Sequence, residues 1–470
     1  MLIDPTSEDL EKLSAIVGGA VRTGDDAVPY LTEPRDIVEG RAAMILRPGS
    51  TDDVSEIVRY CAGRRIGIIP YGGGTGLVGG QVTAEGPLPV IVSLERMNQI
   101  REVIPAESAL IAEAGVILSD IQQAAASVGR LFPLSLASEG SCRIGGNLST
   151  NAGGVQVLRY GNARDLCLGI EAVLPNGEVL KSLKTLRKDN TGYDLRHLLL
   201  GAEGTLGILT AAALRLFPMP SATVTAMLSV PGPAAAIDLL HMLRDRLGDQ
   251  ITAFELIHGN GVEFVGRFWE LTDPLSDAPE WRVLLEVSGQ DQDDLQARVE
   301  NALGAAFEAE LATDGVQALS EGQRQDMWKL RETLPEANRK VGAVSSHDIS
   351  LPIGRLPDFL DEAADVVAKI DPDLVVNCFG HLGDGNLHYN AFPPLGRRNS
   401  DYANRKAEVK QAVHDLVDTH GGSVSAEHGI GRFKTDDLIR YSDPAKLSAM
   451  RAIKTALDPA GIMNPGAVLT

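Results

Sequence analysis

The stretch Asn377–Asn390 has one histidine on each side of a Gly-Asp-Gly turn, and a β-prone run lies before and after the turn. Two such runs around a glycine-rich turn predict a β-hairpin. If residues 382–387 form its loop, His381 and His388 lie opposite each other, on the face that also carries Asn390. Imidazoles that face each other about 5 Å apart can bind one divalent metal ion. A hydrogen-bonded polar pair inside an ordinary hairpin is the alternative interpretation.

A carboxylate and a further histidine follow in the glycine-rich segment Ser425–Gly431. Together with His381 and His388, Glu427 would form a metal site of two imidazoles and one carboxylate that leaves coordination positions open. His428, outside this ligand set, would supply a base at the same spot. The alternative is a solvated Glu-His pair in a loop, but taken together with the hairpin the spacing favours metal chemistry.

Length and charge narrow the classes of protein. The 470 residues exceed what one hydrophobic core organises, so two or three domains are expected. The 43 basic and 63 acidic side chains give a net charge of −20, which argues against non-specific binding to nucleic acid or to anionic membranes. An anionic substrate would therefore need local positive charge.

The chain shows no apolar run of the roughly 18 residues that a membrane span requires, and no secretory signal. Its four cysteines form no CxxC pair, as expected for buried, reduced thiols: Cys61, Cys142, Cys167 and Cys378. These features predict a cytoplasmic protein without a membrane span.

Gly72–Gly80 is the strongest glycine cluster and lies between two strand-like runs, Ile66–Pro70 and Pro89–Leu94. It contains a formal GxGxxG pattern, which in a Rossmann unit opens a helix. Here only residues 81–88 separate the loop from the next strand, too few for a crossover helix, so the Rossmann interpretation fails. Consecutive backbone N–H groups without side chains can still bind phosphate.

Two more segments rich in glycine and small polar residues follow, Ser138–Gly154 and Leu200–Ile208. They offer many hydrogen-bond donors and little bulk, as expected for backbone that lies against a large planar or phosphorylated cofactor. Three such loops, each between strand-like runs, predict a cofactor-binding domain.

The pattern changes after Pro218–Pro220. Strand-like runs then alternate with helical ones, which predicts an α+β domain whose sheet is covered on one side. Trp328–Thr333 is predicted to lie on a helix that ends at Pro335. His347–Pro352 is predicted to form a strand that leads into the next helix.

With these stretches in view, the chain resembles the FAD-linked oxidases of the vanillyl-alcohol oxidase/p-cresol methylhydroxylase fold, and within them the D-2-hydroxy acid dehydrogenases. That branch includes D-2-hydroxyglutarate dehydrogenase, D-lactate dehydrogenase and the flavin subunit of glycolate oxidase. The similarity spans nearly the whole chain. It is carried by six motifs in order: Pro70–Gly80, Gly140–Asn147, Gly201–Gly207, Gly380–His388, Ser425–Gly429 and Asn464–Pro465.

The resemblance implies an α+β fold in three parts. A two-part FAD-binding domain of the p-cresol methylhydroxylase type would span residues 1–218, an α+β substrate-binding cap domain 219–420, and a C-terminal segment that returns to the FAD domain 421–470. FAD would contact Gly72, Gly73, Gly74, Thr75, Gly76, Leu77, Ser138, Gly140, Ser141, Gly145, Gly146, Asn147, Thr150, Asn151, Gly204, Ile208 and Asn464. Some relatives attach the flavin to a histidine of the first glycine loop, which has none here, so FAD is expected to be non-covalent.

For the D-2-hydroxy acid branch the resemblance also implies roles for six side chains. The ligands of a divalent metal, zinc or manganese, would be His381, His388 and Glu427. The substrate-binding residues would be Arg331, Asn390 and His428. The metal would act as a Lewis acid on the substrate hydroxyl, and His428 would take its proton while hydride passes to the flavin. The guanidinium of Arg331 would bind a substrate carboxylate.

The sequence departs from relatives selective for 2-hydroxyglutarate at two positions. Where those relatives hold the distal carboxylate with a threonine and a lysine, this chain has Pro335 and Ser346. A proline offers no donor and a serine no charge, which leaves D-2-hydroxyglutarate, D-lactate, D-malate or another D-2-hydroxy acid open. Arg339, Lys340 or His347 could substitute for the missing contacts.

The expected partners are a 2-hydroxy acid and an electron acceptor such as a quinone or an electron-transfer flavoprotein, with no nucleic acid; a homodimer is a possible assembly. Two alternatives keep the flavin. One is oxidation of an aromatic or alditol alcohol without metal, with the histidines as an acid-base pair. The other is a flavin electron-transfer subunit of a larger complex, similar to the glycolate oxidase assembly.

Overall fold

A computed structural model describes residues 1–469 and mixes helices and strands throughout, which confirms the α+β class. The strands are β1 (Val21–Arg22), β2 (Met44–Leu46), β3 (Ile68–Tyr71), β4 (Val90–Ser93), β5 (Ile100–Ile104), β6 (Ala109–Glu113), β7 (Arg130–Leu131), β8 (Cys167–Val173), β9 (Val179–Ser182), β10 (Ile208–Arg215), β11 (Phe217–Pro218), β12 (Ala222–Val230), β13 (Ile251–His258), β14 (Trp281–Gly289), β15 (Asp314–Gln317), β16 (Ser345–Ser350), β17 (Val375–His381) and β18 (Asn386–Phe392).

The helices are α1 (Ser7–Ile16), α2 (Val28–Leu31), α3 (Thr51–Arg64), α4 (Leu118–Ala126), α5 (Ile144–Ser149), α6 (Val157–Tyr160), α7 (Leu195–Leu199), α8 (Pro233–Leu247), α9 (Gly259–Gly266), α10 (Gln292–Glu308), α11 (Glu321–Val341), α12 (Leu356–Ile370), α13 (Lys406–Thr419), α14 (Thr435–Tyr441) and α15 (Pro444–Leu457). Within residues 1–469, none of these helices combines the length and the apolarity that crossing a bilayer would take.

The chain divides into two compact units. The first comprises Met1–Gly153, Gly161–Met219 and the segment from Glu427 onward, and the second comprises Gly154–Tyr160 and Pro220–Ala426. Each unit has its own sheets and its own buried core.

The first unit contains two main sheets. One has the order β1-β2-β4-β3, with β2, β4 and β3 parallel, and the other is antiparallel with the order β5-β6-β10-β8-β9. Helix α3 illustrates how the sequence builds the core beside them. Its N-terminus is capped by the Ser50 hydroxyl, which accepts from the N–H of Asp53. Its buried positions recur every three or four residues, as in an amphipathic helix: Val54, Ile57, Val58 and Cys61.

The first glycine cluster connects β3 to β4 without a helix between them. The two strands are adjacent and parallel, with Ile69 opposite Ile91. The loop is therefore not the helix-opening turn of a Rossmann unit, as the short spacing to the next strand predicted.

The second unit is built on a seven-stranded antiparallel sheet with the order β15-β12-β14-β13-β17-β18-β16. Helices α9 and α11 pack on one face, and α8, α10, α12 and α13 pack on the other. The prediction of a sheet covered on one side is wrong. Strands β12 to β14 are buried at successive positions along almost their whole length, a pattern that requires cover on both faces.

Helix α11 runs from Glu321 to Val341 and contains Pro335 in its interior, so the predicted end at Pro335 is wrong. The proline has no N–H to offer the carbonyl oxygen of Arg331, which weakens the helix locally. The helix continues because residues on both sides of the proline are packed: Leu334 and Ala337 are fully buried in the same apolar cluster. Tertiary packing here outweighs the local signal.

Strands β17 and β18 form the predicted hairpin, but with a shorter loop. Gly385 closes the turn with a left-handed φ of 83°, so His381 pairs with Asn386, and His388 pairs with Phe379. The two histidines are therefore not directly opposite, and the predicted register is wrong by two residues. A shift of two keeps every side chain on its predicted face, and the two imidazole centroids lie 6.1 Å apart.

Candidate active site

A cleft in the first unit is lined by the glycine loops. The empty space between these loops, counted together with the solvent at its open mouth, is about 870 Å³. The wall comprises most of residues 70–81 after β3, residues near 142–150 at α5, residues near 203–209 at the start of β10, and two side chains from the C-terminal segment, His428 and Asn464.

Most of the residues that were predicted to bind FAD line this cleft: Gly72, Gly73, Gly74, Thr75, Gly76, Gly145, Gly146, Asn147, Thr150, Gly204, Ile208 and Asn464. The predicted residues that lie outside its lining are Leu77, Ser138, Gly140, Ser141 and Asn151. Tyr71, Gln81 and Arg143 also line the cleft, although they were not among the residues predicted to bind FAD.

The glycine loops approach each other too closely for side chains. A Cβ atom on Gly73 would collide with the carbonyl oxygen of Ser141 and lie 3.0 Å from the Cα of Cys142. A Cβ on Gly72 would lie 3.3 Å from the Cα of Gly146. Since the atoms in the way belong to the backbone, any side chain here would push the first and second glycine loops apart.

Asn147 tests whether the cleft suits a cofactor. Its side chain belongs to a residue that is 6% exposed, and its Oδ1 has no hydrogen-bond donor in the part of the chain that the structure describes. Buried polar atoms are nearly always hydrogen-bonded, so this acceptor fits a bound group with an N–H or O–H donor. Backbone donors on glycine loops together with such an acceptor suit a molecule that combines phosphates with a ring N–H, as FAD does.

Glu203, Arg432 and Asn464 support one wall of the cleft. The Glu203 carboxylate accepts from the N–H groups of Ile430 and Gly431, each at 2.8 Å. Burial raises the pKa of Glu203, although these two bonds act in the opposite direction. The Asn464 amide donates to the Glu203 carbonyl oxygen at 2.7 Å and accepts from Arg432 at 2.8 Å. Burial lowers the pKa of Arg432 to about 10.

Backbone strain marks the same wall. Glu203 and Asn464 have φ angles of 50° and 44°, in the left-handed region that residues with a side chain rarely adopt. Such strain persists where surrounding contacts determine the backbone, and it concentrates at ligand sites.

His428 lines the cleft with its side chain 28% exposed, and its Nε2 lies 3.9 Å from Oε1 of Glu427. An imidazole on the wall of a cofactor cleft can exchange a proton with a substrate. Glu427 follows directly after Ala426, whose N–H donates to the carbonyl oxygen of Asp348 in β16 at 3.3 Å.

One face of that sheet carries candidate metal ligands. His388 in β18 is paired with Asp348 in β16, and its ring lies near that of His381 in β17. Imidazole nitrogens and carboxylate oxygens are the ligand types that zinc and manganese take in proteins. Asn390 shares this face; it is 5% exposed, and its amide donates to the carbonyl oxygen of His388 at 3.0 Å.

Arg331 lies in a buried network with Glu255, a residue that the sequence motifs missed. Its Nε and Nη2 contact Oε2 of Glu255 at 2.8 and 2.7 Å, and Nδ1 of His381 contacts Oε1 of the same carboxylate at 2.7 Å. Burial by itself would raise the pKa of Glu255, but His381 and Arg331 lower it to about 2. The sequence gives one signal for Glu255, an acidic residue within the apolar run Ile251–Ile257.

The cations proposed to replace the distal-carboxylate contacts are engaged elsewhere. Arg339 pairs with a neighbouring glutamate of α11, and the Lys340 ammonium lies over the ring of Trp269 at 4.5 Å. His347 is buried on the face of β16 opposite to Ser346, since successive strand residues alternate. Ser346 itself is exposed.

Known proteins match the chain over nearly its full length. Residues 42–182 match a family described as FAD binding domain, and residues 219–468 match FAD linked oxidases, C-terminal domain. A D-2-hydroxyglutarate dehydrogenase, mitochondrial, from Bos taurus is 37% identical over 467 residues, which cover 98% of this chain and 83% of that protein. A D-2-hydroxyglutarate dehydrogenase from Stutzerimonas stutzeri (strain A1501) is 37% identical over 427 residues, covering 90% of each chain.

Among solved structures, p-cresol methylhydroxylase with substrate bound matches with a TM-score of 0.77 at 18% identity, covering 100% of this chain and 98% of that one. At this identity the match concerns the fold alone, and it confirms the predicted fold class. The family matches confirm the resemblance read from the six motifs, and they support FAD as the group that the glycine cleft takes up.

Proposed function

The chain belongs to the FAD-linked oxidases, and on that premise we propose that it is an FAD-dependent dehydrogenase that oxidises a D-2-hydroxy acid to the 2-oxo acid with the help of a divalent metal ion. The observation that carries this proposal is the position of His428 on the wall of the glycine cleft. It puts a proton acceptor beside the group that accepts hydride, because FAD, when bound, supplies the hydride acceptor. The names of the relatives support the substrate class.

In this proposal His428 removes the proton of the substrate hydroxyl, a role that suits an imidazole at neutral pH. Asn390 offers its amide to the substrate. Arg331 binds the carboxylate through Nη1, since Nε and Nη2 are directed at Glu255. Such fixed donors hold the substrate in one orientation, which lowers the entropic part of the barrier.

We propose that His381, His388 and Glu427 hold the metal, zinc or manganese, with Asp348 next to His388 as a further carboxylate. A bound metal would lower the pKa of the substrate hydroxyl. Support comes from the ligand types on the sheet face, where His388 pairs with Asp348 and its ring lies near that of His381. The roles of these residues otherwise rest on the resemblance.

Which D-2-hydroxy acid is the substrate depends on the side chains that contact the end of the acid far from its hydroxyl group. The relatives favour D-2-hydroxyglutarate, whereas Pro335 and Ser346 provide no positive charge for a distal carboxylate. D-lactate, which has no distal carboxylate, therefore competes with D-2-hydroxyglutarate in this proposal, and D-malate, whose second carboxylate lies one carbon closer, stays open.

An anaerobic stopped-flow screen of flavin bleaching tests the proposed function. The purified chain is mixed with the D and L forms of lactate, malate and 2-hydroxyglutarate, and with an aromatic alcohol. At least one D acid should reduce the flavin far faster than its L form does, with no partner protein added. Bleaching by the aromatic alcohol alone would favour the metal-free alcohol oxidase, and bleaching only after addition of a partner would favour an electron-transfer subunit.

Three further expectations from the sequence stay predictions. The flavin should be released by acid precipitation, because no covalent link is expected. The electron acceptor should be a quinone or an electron-transfer flavoprotein rather than oxygen. The cytoplasmic location and the homodimer are untested, and several relatives carry the word mitochondrial in their names.

A further inference from the structure

We propose that Glu255 is a positioning residue that fixes His381 as a metal ligand and Arg331 as a substrate-binding group through the two oxygens of one carboxylate. The inference rests on the proposed function, because it takes His381 to be a ligand of the metal. Glu255 is fully buried in β13 and is paired directly with His381 of β17.

The first effect concerns which ring nitrogen of His381 carries hydrogen. Oε1 of Glu255 lies 2.7 Å from Nδ1 of His381, and a carboxylate oxygen can only accept in this contact. Nδ1 therefore carries a hydrogen, which leaves Nε2 as the ring nitrogen that can bind a metal. A histidine ligand needs this arrangement, in which one nitrogen is held by a carboxylate and the other faces the metal.

The second effect concerns the direction of the Arg331 side chain. Oε2 of Glu255 accepts from both Nε and Nη2, and the guanidinium carbon lies 4.9 Å from the ring centroid of Phe379. The carboxylate of Glu255 and the ring of Phe379 together fix the orientation of the guanidinium plane. One residue thus ties α11 to β13 and β17 and sets the relative placement of two functional groups.

Charge supports a role beyond packing. The Glu255 carboxylate offsets the charge of Arg331, whose Nη2 lies 2.7 Å from Oε2. Without the carboxylate, a buried cation would remain close to the nitrogen that has to bind another cation. An amide in place of the carboxylate would also present N–H groups to Nδ1 or to the guanidinium, which opposes one of the two contacts.

The same sheet face offers a matched control in Glu286 of β14. Its Oε2 accepts from Nε1 of Trp328 at 2.7 Å and from Arg324 at 3.2 Å, and both partners lie on α11. Glu286 is therefore a second buried carboxylate that pairs with an arginine of the same helix. Unlike Glu255, it contacts no candidate metal ligand in the hydrogen bonds that the structure describes.

The test compares Zn²⁺ affinity of the flavin-loaded full chain as wild type, Glu255→Gln and Glu286→Gln, by competition with a chromophoric chelator. Loss of a carboxylate behind a histidine ligand typically weakens binding about 10–100-fold, and we expect that loss for Glu255→Gln. Glu286→Gln should keep the wild-type affinity. Flavin content should be equal in all three proteins.

Each outcome decides between the two proposals. If the wild type binds Zn²⁺ and Glu255→Gln binds it equally well, the positioning role is wrong while the proposed function stands. If both variants lose affinity to the same extent, Glu255 acts only through packing and the positioning role is again wrong. If the wild type has no Zn²⁺ site, the metal part of the proposed function fails, and the positioning role fails with it.

A second measurement needs no substitution at Glu255 and therefore avoids a variant that does not fold. The tautomer of His381 is read from long-range ¹H–¹⁵N spectra of metal-free wild-type protein labelled in its histidines, with the signal assigned by its loss in His381→Gln. We expect hydrogen on Nδ1 and the lone pair on Nε2. The opposite tautomer would overturn the proposal.

Discussion

The cofactor cleft of the first unit and the polar sheet face of the second are built by opposite means. Backbone makes the cleft, where Gly72 and Gly73 leave no space for a side chain. Side chains make the polar face, where Glu255, Arg331 and His381 meet from three separate elements. A backbone site fails when atoms are added, whereas a side-chain network fails when one partner is removed and the others stay buried. The two regions should therefore respond to different kinds of substitution.

The largest effect is expected from Gly73→Val in the cleft. Its side chain would collide with the backbone of Ser141 and Cys142, which cannot move aside as a flexible side chain does. The purified variant should lack flavin, as measured by the ratio of flavin to protein absorbance. Gly63→Ala is the control, because a Cβ there meets nothing within 4 Å. It should keep the flavin and gain up to about 1 kcal/mol in helix stability. Normal flavin content in Gly73→Val would break the distinction between the regions.

Next in size is His428→Asn, which removes an imidazole from the wall of the cleft. Loss of a general base typically slows a reaction about 10²- to 10⁴-fold, and flavin reduction by the D acid should slow to this extent. Flavin content should not change, because the variant adds no bulk. His197→Asn, at an exposed histidine of the same unit, should reduce its flavin at the wild-type rate. Equal rates in both variants would remove His428 from the mechanism.

The third test compares two arginines of α11 by Arg331→Met and Arg324→Met. Removing Arg331 leaves the buried Glu255 without its cation and should lower the free energy of unfolding by about 3–5 kcal/mol. Arg324 is 32% exposed at its side chain, so its loss should cost about 1 kcal/mol or less.

Urea unfolding followed by tryptophan fluorescence suits this test. All three tryptophans, Trp269, Trp281 and Trp328, lie in the second unit. Equal costs would mean that burial does not separate the two pairs.

The smallest effect concerns pH and the cleft residue Glu203. Because burial raises its pKa in the folded protein, the folded chain holds this proton more tightly than the unfolded chain does. Its contribution to stability should therefore be largest below pH 4.5, the ordinary value, and fall as the pH rises through the raised pKa. Glu203→Gln should remove this fall, measured by flavin release on heating at a series of pH values.

Asp9 provides the opposite case within the same unit. The guanidinium of Arg64 holds the pKa of Asp9 well below its usual range, so the stability that it contributes is present at neutral pH and lost in acid. Asp9→Asn should flatten the acid side of the stability profile. If Glu203→Gln and Asp9→Asn changed the pH dependence of stability in the same direction, the opposite pKa shifts assigned to Glu203 and Asp9 would be contradicted.

The sequence predicts the backbone-built glycine loops better than it predicts the side-chain network. The glycine loops could be predicted because a site that leaves no room for side chains requires several glycines close together in the sequence. Most of the residues that were predicted to bind FAD line the cleft. The face of the hairpin histidines was readable from strand period. Their register was not, because it depends on where Gly385 closes the turn.

Features that depend on tertiary packing were not readable. Pro335 looks like a helix end, yet buried neighbours carry the helix past it. Glu255 contacts Arg331 and His381, which lie 76 and 126 positions away in the sequence, and no local sequence pattern indicates such contacts. The interior arginine Arg432 is a similar case, marked only by the glycines before it.

We propose that the flavin cleft and the proposed metal ligands of the sheet face contribute separately to one reaction. Dialysis of the purified protein against a chelator tests it most directly, with flavin absorbance and anaerobic reduction by the D acid measured before and after, and again after adding Zn²⁺. We expect that the flavin stays bound, that its reduction slows sharply, and that Zn²⁺ restores the rate. Reduction at an unchanged rate in metal-free protein, or loss of the flavin together with the metal, would contradict it.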